Sequence, residues 1–443
     1  MADISGTPRE RKLAALLAVV IVAVTLLNGA GVFLKRTGLM DRPAYEQYFE
    51  LHRKGISTPD WRLTTPRYLR EQVYQTGPEG SAIVLKLLKY GVIVVLVTLS
   101  AICLARRVTA LPTFRCAWPG YLLAGLTAAS FLLTLQHHGI LLPLTGLHAF
   151  SFLYLALLAG WLAKRTFTAA LAAAAGALLV LEAAAVGFEA LRGLPMYGNS
   201  MLAANIPARL FGTFDLPNSL GIFAVLAVAF YFSYSPEKRL VWLLCLLAVL
   251  LVFGSGSATG CMVLAFLGAG AALRRMKTWW RITVPVCLVV IAALFMSLPH
   301  LLGRPDLFYS LIGRTGELSW AYTGLEGWEI ITGKAFGAGT NAAFQLFRVD
   351  GPCATADCGR IYTASAESLP TLLLLGTGLP GLLAFYLLLL WAAIKDPRGR
   401  PFFVAVVLTG LTGKVVEIFP VNLFIAAALA RAFATIPERD GIV

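Results

Sequence analysis

Three stretches of this chain combine polar side chains with a neighbouring apolar run. The first is Ala208–Gly221, ARLFGTFDLPNSLG, where Arg209, Asp215 and Asn218 precede an apolar run and Gly212 and Pro217 shape the turn. A proline here suits the first turn of a helix. Exposed N–H groups at a helix start, together with an arginine, make a site for an anion. The same residues also fit a capped helix start whose arginine reaches to the membrane surface. The second stretch, Gly313–Phe344, carries Arg314, Trp320, Tyr322, Trp328, Lys334 and a Gly337-Ala338-Gly339 turn. Its cations suit a phosphate. Trp320 and Trp328, with Tyr322 and Tyr362, can stack on sugar faces, and each alone equally suits an aromatic belt at a membrane interface. In the third stretch, Ala364–Phe385, Glu367 opens another apolar run. A carboxylate there can take a proton from a hydroxyl, or it can complement the positive end of a helix.

Histidines and cysteines add little. Adjacent His137 and His138 end an apolar run and point in different directions, which fits interfacial polar residues. His148 lies inside a run, where an ionisable residue is a functional candidate or a hydrogen-bonding partner for a neighbouring helix. Of seven cysteines, Cys103, Cys116, Cys245, Cys261 and Cys287 lie in or beside apolar runs and act as small apolar residues. Cys353 and Cys358 lie five positions apart, flanked by Gly and Pro; an oxidising compartment permits a disulfide between them, and two free thiols are the alternative. Two cysteines without a nearby histidine are half a zinc site, so no metal and no cofactor is expected.

The elements that position these residues are set by composition. Hydrophobic residues make up 58% of the chain and charged residues 14%, against about half and about a quarter in soluble domains. This excludes a soluble enzyme, a disordered chain and a disulfide-dense secreted scaffold. The formal charge is +14, but no basic face with interleaved aromatics lies outside the apolar runs, so nucleic acid is not an expected partner.

A membrane span needs about 20 mostly apolar residues. Twelve stretches qualify, near 13–34, 82–104, 118–135, 140–163, 168–187, 217–234, 239–254, 257–273, 282–299, 370–393, 401–419 and 421–436. The expected fold is therefore an all-α polytopic membrane protein in a single integral membrane domain, residues 1–443. Basic residues collect in alternate short loops, such as Lys164-Arg165, Lys238-Arg239 and Arg274-Arg275. The positive-inside rule then puts both termini in the cytoplasm. Three outer loops are long: 35–81, 188–216 and 300–369, the last between the ninth and tenth spans. Loops held by a rigid scaffold are where sites usually sit.

The pattern R-x-x-G-x-F-x-x-P-N-x-L at Arg209–Leu220, the Gly337–Gly339 turn and G-L-P-G at Gly378–Gly381 resemble the O-antigen ligase and Wzy polysaccharide polymerase superfamily. The resemblance covers roughly residues 170–390, and the first motif is the specific one. It implies a metal-independent glycosyltransferase of the bacterial inner membrane with its site facing the periplasm. Its donor would be an undecaprenyl-diphosphate-linked oligosaccharide, and its working partners a flippase and a chain-length regulator. Arginines of that family bind the diphosphate, which points to Arg209, then Arg314, with Arg192, Lys334 and Lys414 behind. The family's His-Asn pair, which activates the acceptor, falls here on Glu367-Ser368, and its Ser-Arg after the seventh span reads Ser257-Ala258. A glutamate can take a hydroxyl proton as a histidine does. The departure favours the polymerase branch over the ligase branch, which hands finished glycan to lipid A-core. Two rivals are a transporter, which would pair ionisable residues at mid-membrane and break helices in repeated halves, and a non-catalytic scaffold of the assembly machinery.

Overall fold

The computed structural model describes residues 8–36, 114–159, 168–192, 210–214, 217–235, 239–273, 316–343, 366 and 368–434. Among these residues there is no strand; the architecture is helical, as expected. In chain order the helices are α1 (Pro8–Arg36), α2 (Phe114–His138), α3 (Leu141–Ala149), α4 (Ser151–Ala159), α5 (Thr168–Arg192), α6 (Pro217–Tyr234), α7 (Val241–Ser255) and α8 (Ala258–Leu273). They continue with α9 (316–323), α10 (Glu329–Thr332), α11 (Leu369–Lys395), α12 (Arg400–Gly410) and α13 (Val421–Ala434).

Two helices form the centre. Every residue from Leu220 to Tyr231 of α6 and from Val421 to Ala430 of α13 is buried. Apart from Asn422, both stretches are apolar all round, which is the pattern of a helix enclosed by others. Helices α5, α7, α8 and α12 surround α6; α4, α5, α2 and α11 surround α13; and the two touch each other. Phe230 of α6 joins the groups, its ring 4.9 Å from Phe424 of α13 and 5.2 Å from Phe402 of α12. The outer helices are apolar outward as well. On α7, Trp242, Leu246, Leu250 and Phe253 are 82%, 56%, 56% and 70% exposed. Such a stripe is costly against water and at ease in lipid. Three described helices are long and apolar enough to cross a membrane, within Ala117–His138, Thr168–Leu191 and Leu369–Lys395. This is consistent with a helical membrane protein.

Ten of the twelve expected spans fall on described residues and all ten are helical, in whole or in part. Spans 82–104 and 282–299 lie outside the described residues. Several boundaries need correction. The run 140–163 is not one helix: α3 ends at Ala149 and α4 restarts at Ser151. The run 401–419 is helical only to Gly410; beyond it the chain forms a turn and a short 3-10 segment, Val415–Glu417. Residues 188–192 of the loop expected at 188–216 belong to α5, and residues 35 and 36 of the loop expected at 35–81 belong to α1; residues 37–81 lie outside the described residues. The helical piece expected at Leu318–Ile331 is two short helices, α9 and α10, separated by a turn.

The C-terminal ends of α6, α11 and α13 are tied together. Tyr234 Oη donates to Asp396 Oδ2 at 3.0 Å, Arg431 Nε pairs with the same oxygen at 3.5 Å, and the Arg431 guanidinium lies 5.3 Å from the Tyr234 ring centroid. Asp396 is buried, so its charge is held by these neighbours and by the Arg398 N–H. Replacing Tyr234 with phenylalanine removes one hydrogen bond to a buried carboxylate. A loss of about 1–2 kcal/mol is expected, read as a lower unfolding midpoint in detergent.

Candidate functional site

The opposite end of the same helices holds the motif residues. The turn at Phe211–Thr213 is hung on α5 by two buried carboxylates, Glu182 and Glu189, which lie seven residues apart and so on one helix face. Glu189 Oε2 accepts from Phe211 N at 2.9 Å and Gly212 N at 3.0 Å. Glu182 Oε2 accepts from Thr213 N at 2.9 Å, and its other oxygen accepts from the Thr213 hydroxyl. Three consecutive backbone N–H groups, which no helix or sheet satisfies, are thus satisfied by side chains in an apolar interior. Gly212 is required: its φ is +57°, and a Cβ would run into the Glu182 carboxylate. Phe214 then packs on Phe223 of α6 at 5.0 Å, and Leu210 N donates to Gly254 O at 2.8 Å. Arg209 and Asp215, on either side of this turn, lie outside the described residues.

Asn218, in the first turn of α6, accepts from Ser257 Oγ at 2.8 Å, and Ser257 Oγ in turn accepts from Gly260 N at 3.1 Å, capping α8. The chain after α12 runs beside Asn218. A Cβ on Gly413 would stand 4.0 Å from Asn218 Nδ2, and Thr412 bonds Thr259 at 2.7 Å between hydroxyls. Next comes Lys414. Its Nζ donates to Asn341 Oδ1 at 2.7 Å and pairs with Glu417 Oε2 at 3.2 Å, while the Glu417 carboxylate accepts from Asn341 N at 3.0 Å. Asn341 follows the Gly337–Gly339 turn, which Thr340 closes by donating to Gly337 O at 2.8 Å. Gly339 O accepts from Ala366 N at 2.9 Å. Ser368 caps α11, its Oγ accepting from Thr371 N at 3.4 Å. Glu367, between Ala366 and Ser368, is outside the described residues. The three stretches singled out by sequence therefore meet through one chain of contacts: Asn218, the 412–417 loop, the 337–341 turn and Ala366.

The loop around α10 reaches into the helices because α11 is broken. Gly378 has φ +69° and ψ −174°, which interrupts the helix, and Pro380 follows. Leu375 O accepts from Lys334 N at 2.8 Å and Ala335 N at 3.2 Å. Irregular backbone buried in protein is the form in which a membrane domain tolerates it. Phe336 N donates to Thr134 Oγ1 at 2.7 Å and Ser130 Oγ donates to Thr332 O at 2.9 Å, fixing the segment to α2.

The other expected site residues are placed as follows. Lys334 is ion-paired with Glu329 at 2.9 Å, and its N–H meets Leu375 O in the second turn of α11. Trp320 and Trp328 are 38% and 79% exposed. Arg192 is the last residue of α5. Arg314, Cys353 and Cys358 are outside the described residues. His137 and His138 are exposed with rings tilted 64° apart, and His148 is buried on α3. Sequence reasoning overlooked the roles of Glu182, Glu189, Asn341 and Glu417. For Glu182, Glu189 and Glu417 the missed signal was an ionisable residue inside or beside an apolar run. No protein-family model matches the sequence, and no curated protein matches it.

Proposed function

We propose that the protein is a multi-pass glycosyltransferase of the bacterial inner membrane, with about twelve spans and its site on the periplasmic face. It joins undecaprenyl-diphosphate-linked oligosaccharide repeats into a surface polysaccharide, either O-antigen or exopolysaccharide. One observation carries the reading: the three motif-bearing stretches, far apart in sequence, converge at one end of the central helices. No nucleotide sugar is available outside the cytoplasm, so a transferase there must use a donor already activated on lipid. The diphosphate gains charge as its bond to the anomeric carbon breaks, and cations offset that charge. Arg209 is the first of these, with Arg314 and Lys414 behind it. Glu367 takes the proton from the acceptor hydroxyl, whose oxygen forms the new bond to the anomeric carbon. The undecaprenyl diphosphate leaves from the opposite face, so configuration inverts. Asn218 and Asp215 line the diphosphate side, and a flippase and a chain-length regulator supply the donor and set polymer length.

The test uses purified protein in nanodiscs with the native lipid-linked repeat and no added metal, products being resolved by size. Wild type is expected to make a ladder; Arg209→Ala and Glu367→Gln are each expected to slow it by at least about a hundredfold. No ladder from a competent donor would refute the polymerase reading. Transfer to lipid A-core in the same preparation would then mark a ligase.

A further inference from the structure

We infer that Lys414 is a second cation for the donor diphosphate, and that it reaches the phosphate by exchanging its ion pair with Glu417. The inference rests on the transferase reading above and adds to it the rank of Lys414 and its exchange of partners. Both candidate lysines with described side chains are ion-paired, but in different places. Lys334 meets Glu329 beside Leu375 in the second turn of α11, with side chains 23% and 32% exposed. Lys414 meets Glu417 with side chains 10% and 4% exposed. The loop that carries Lys414 runs past Asn218 on one side and, through Asn341, reaches the turn bonded to Ala366 on the other. Lys414 thus stands between the anion-binding motif and the residue preceding the proposed base.

An ammonium on a four-carbon stem is a mobile point charge with three donors, and it can pass from one anion to another. A diphosphate carries more charge than one carboxylate, and its charge rises in the transition state, so exchange is favoured most when the bond is breaking. The Glu417 carboxylate keeps the Asn341 N–H when Lys414 leaves, so the 337–341 turn retains a tie to the 412–417 loop throughout.

This arrangement makes the two partners of one ion pair act with opposite sign, which a purely structural pair cannot do. The experiment measures binding of undecaprenyl diphosphate to full-length protein in nanodiscs, with undecaprenol as the tail-only control. Lys414→Ala is expected to weaken diphosphate binding about tenfold to a hundredfold, the value of a hydrogen bond to a charged group, and to leave undecaprenol unchanged. Lys414→Arg is expected to stay within about threefold of wild type, because the charge is kept. Glu417→Gln, which removes the competing carboxylate and keeps an acceptor for Asn341, is expected to bind as tightly as wild type or tighter. A Lys414→Met, Glu417→Met double variant removes the pair as a unit without leaving a buried charge and is expected to bind as weakly as Lys414→Ala. Unchanged binding in Lys414→Ala, or an equal loss in Glu417→Gln, overturns the inference while a wild-type ladder leaves the transferase reading standing. Wild type that binds undecaprenyl diphosphate no better than undecaprenol overturns both.

Discussion

Replacing Glu189 with leucine will cost about 2–4 kcal/mol of stability and at least about a hundredfold in activity. The substitution leaves Phe211 N–H and Gly212 N–H without the carboxylate oxygen that accepts both. Each buried, unsatisfied donor costs about 1–3 kcal/mol. Part of that is offset because a buried carboxylate no longer has to be kept from water. The activity loss follows from position: Arg209 lies two residues before Phe211, and a shift of about 1 Å in a positioning group can cost about a hundredfold. Glu189→Gln separates the two roles of this side chain. It retains an acceptor oxygen at the same place and is expected to unfold within about 1 kcal/mol of wild type. Thermal unfolding in detergent and the ladder assay on the folded fraction check both. A leucine variant as stable as wild type would show that the turn does not hang on Glu189.

The second large effect comes from a pair of glycines two residues apart. Gly378→Ala is expected to cost about 3–5 kcal/mol, whereas Gly376→Ala should lie within about 1 kcal/mol of wild type and can be stabilising. At Gly378 the backbone has φ +69° and ψ −174°, and a Cβ would stand 2.7 Å or less from the carbonyl oxygens of Ile330 and Ile331. At Gly376 the nearest atom to a Cβ is Phe150 Cε2 at 3.9 Å. The Gly378 variant must either straighten α11 or push α10 away. Either way the bonds from Lys334 N and Ala335 N to Leu375 O are lost. Limited proteolysis within 316–343, together with the unfolding midpoint, reads this directly. Equal behaviour of the two variants would contradict the break in α11.

Some of this was legible in the sequence and some was hidden for physical reasons. The bounds of α6 were readable because Pro217 fixes a start and a polar, Pro-containing segment follows Tyr234. The gap between α3 and α4 was not, because residues 140–163 stay apolar through Phe150 and composition cannot register a broken backbone. The irregular segment after Gly410 was hidden in the same way, by Val415, Val416, Ile418 and Phe419. Glu189 read as the first part of a loop, since an apolar-run criterion stops where a carboxylate appears; in the structure that carboxylate is what lets the helix continue beside a turn. The motif at Arg209–Leu220 was visible as a pattern, but its anchorage on α5 depends on a helix that precedes it in the chain. Asn341 carries no local signature, because its role is a contact between segments about 75 residues apart.

The enclosure of α13 bears on how the protein is made. This helix follows every other described helix in the order of synthesis, yet it fills the middle of the bundle against α4, α5, α6 and α11. Until it leaves the ribosome, its neighbours lack Phe424 and Leu429, which are fully buried among them in the finished bundle. Domains assemble as they are synthesised, with earlier parts first, so here the final packing step is insertion of a plug. A ribosome stalled before residue 421 would hold a nascent chain whose helices are already formed but still accessible to chaperones and to the membrane proteases that remove incomplete proteins.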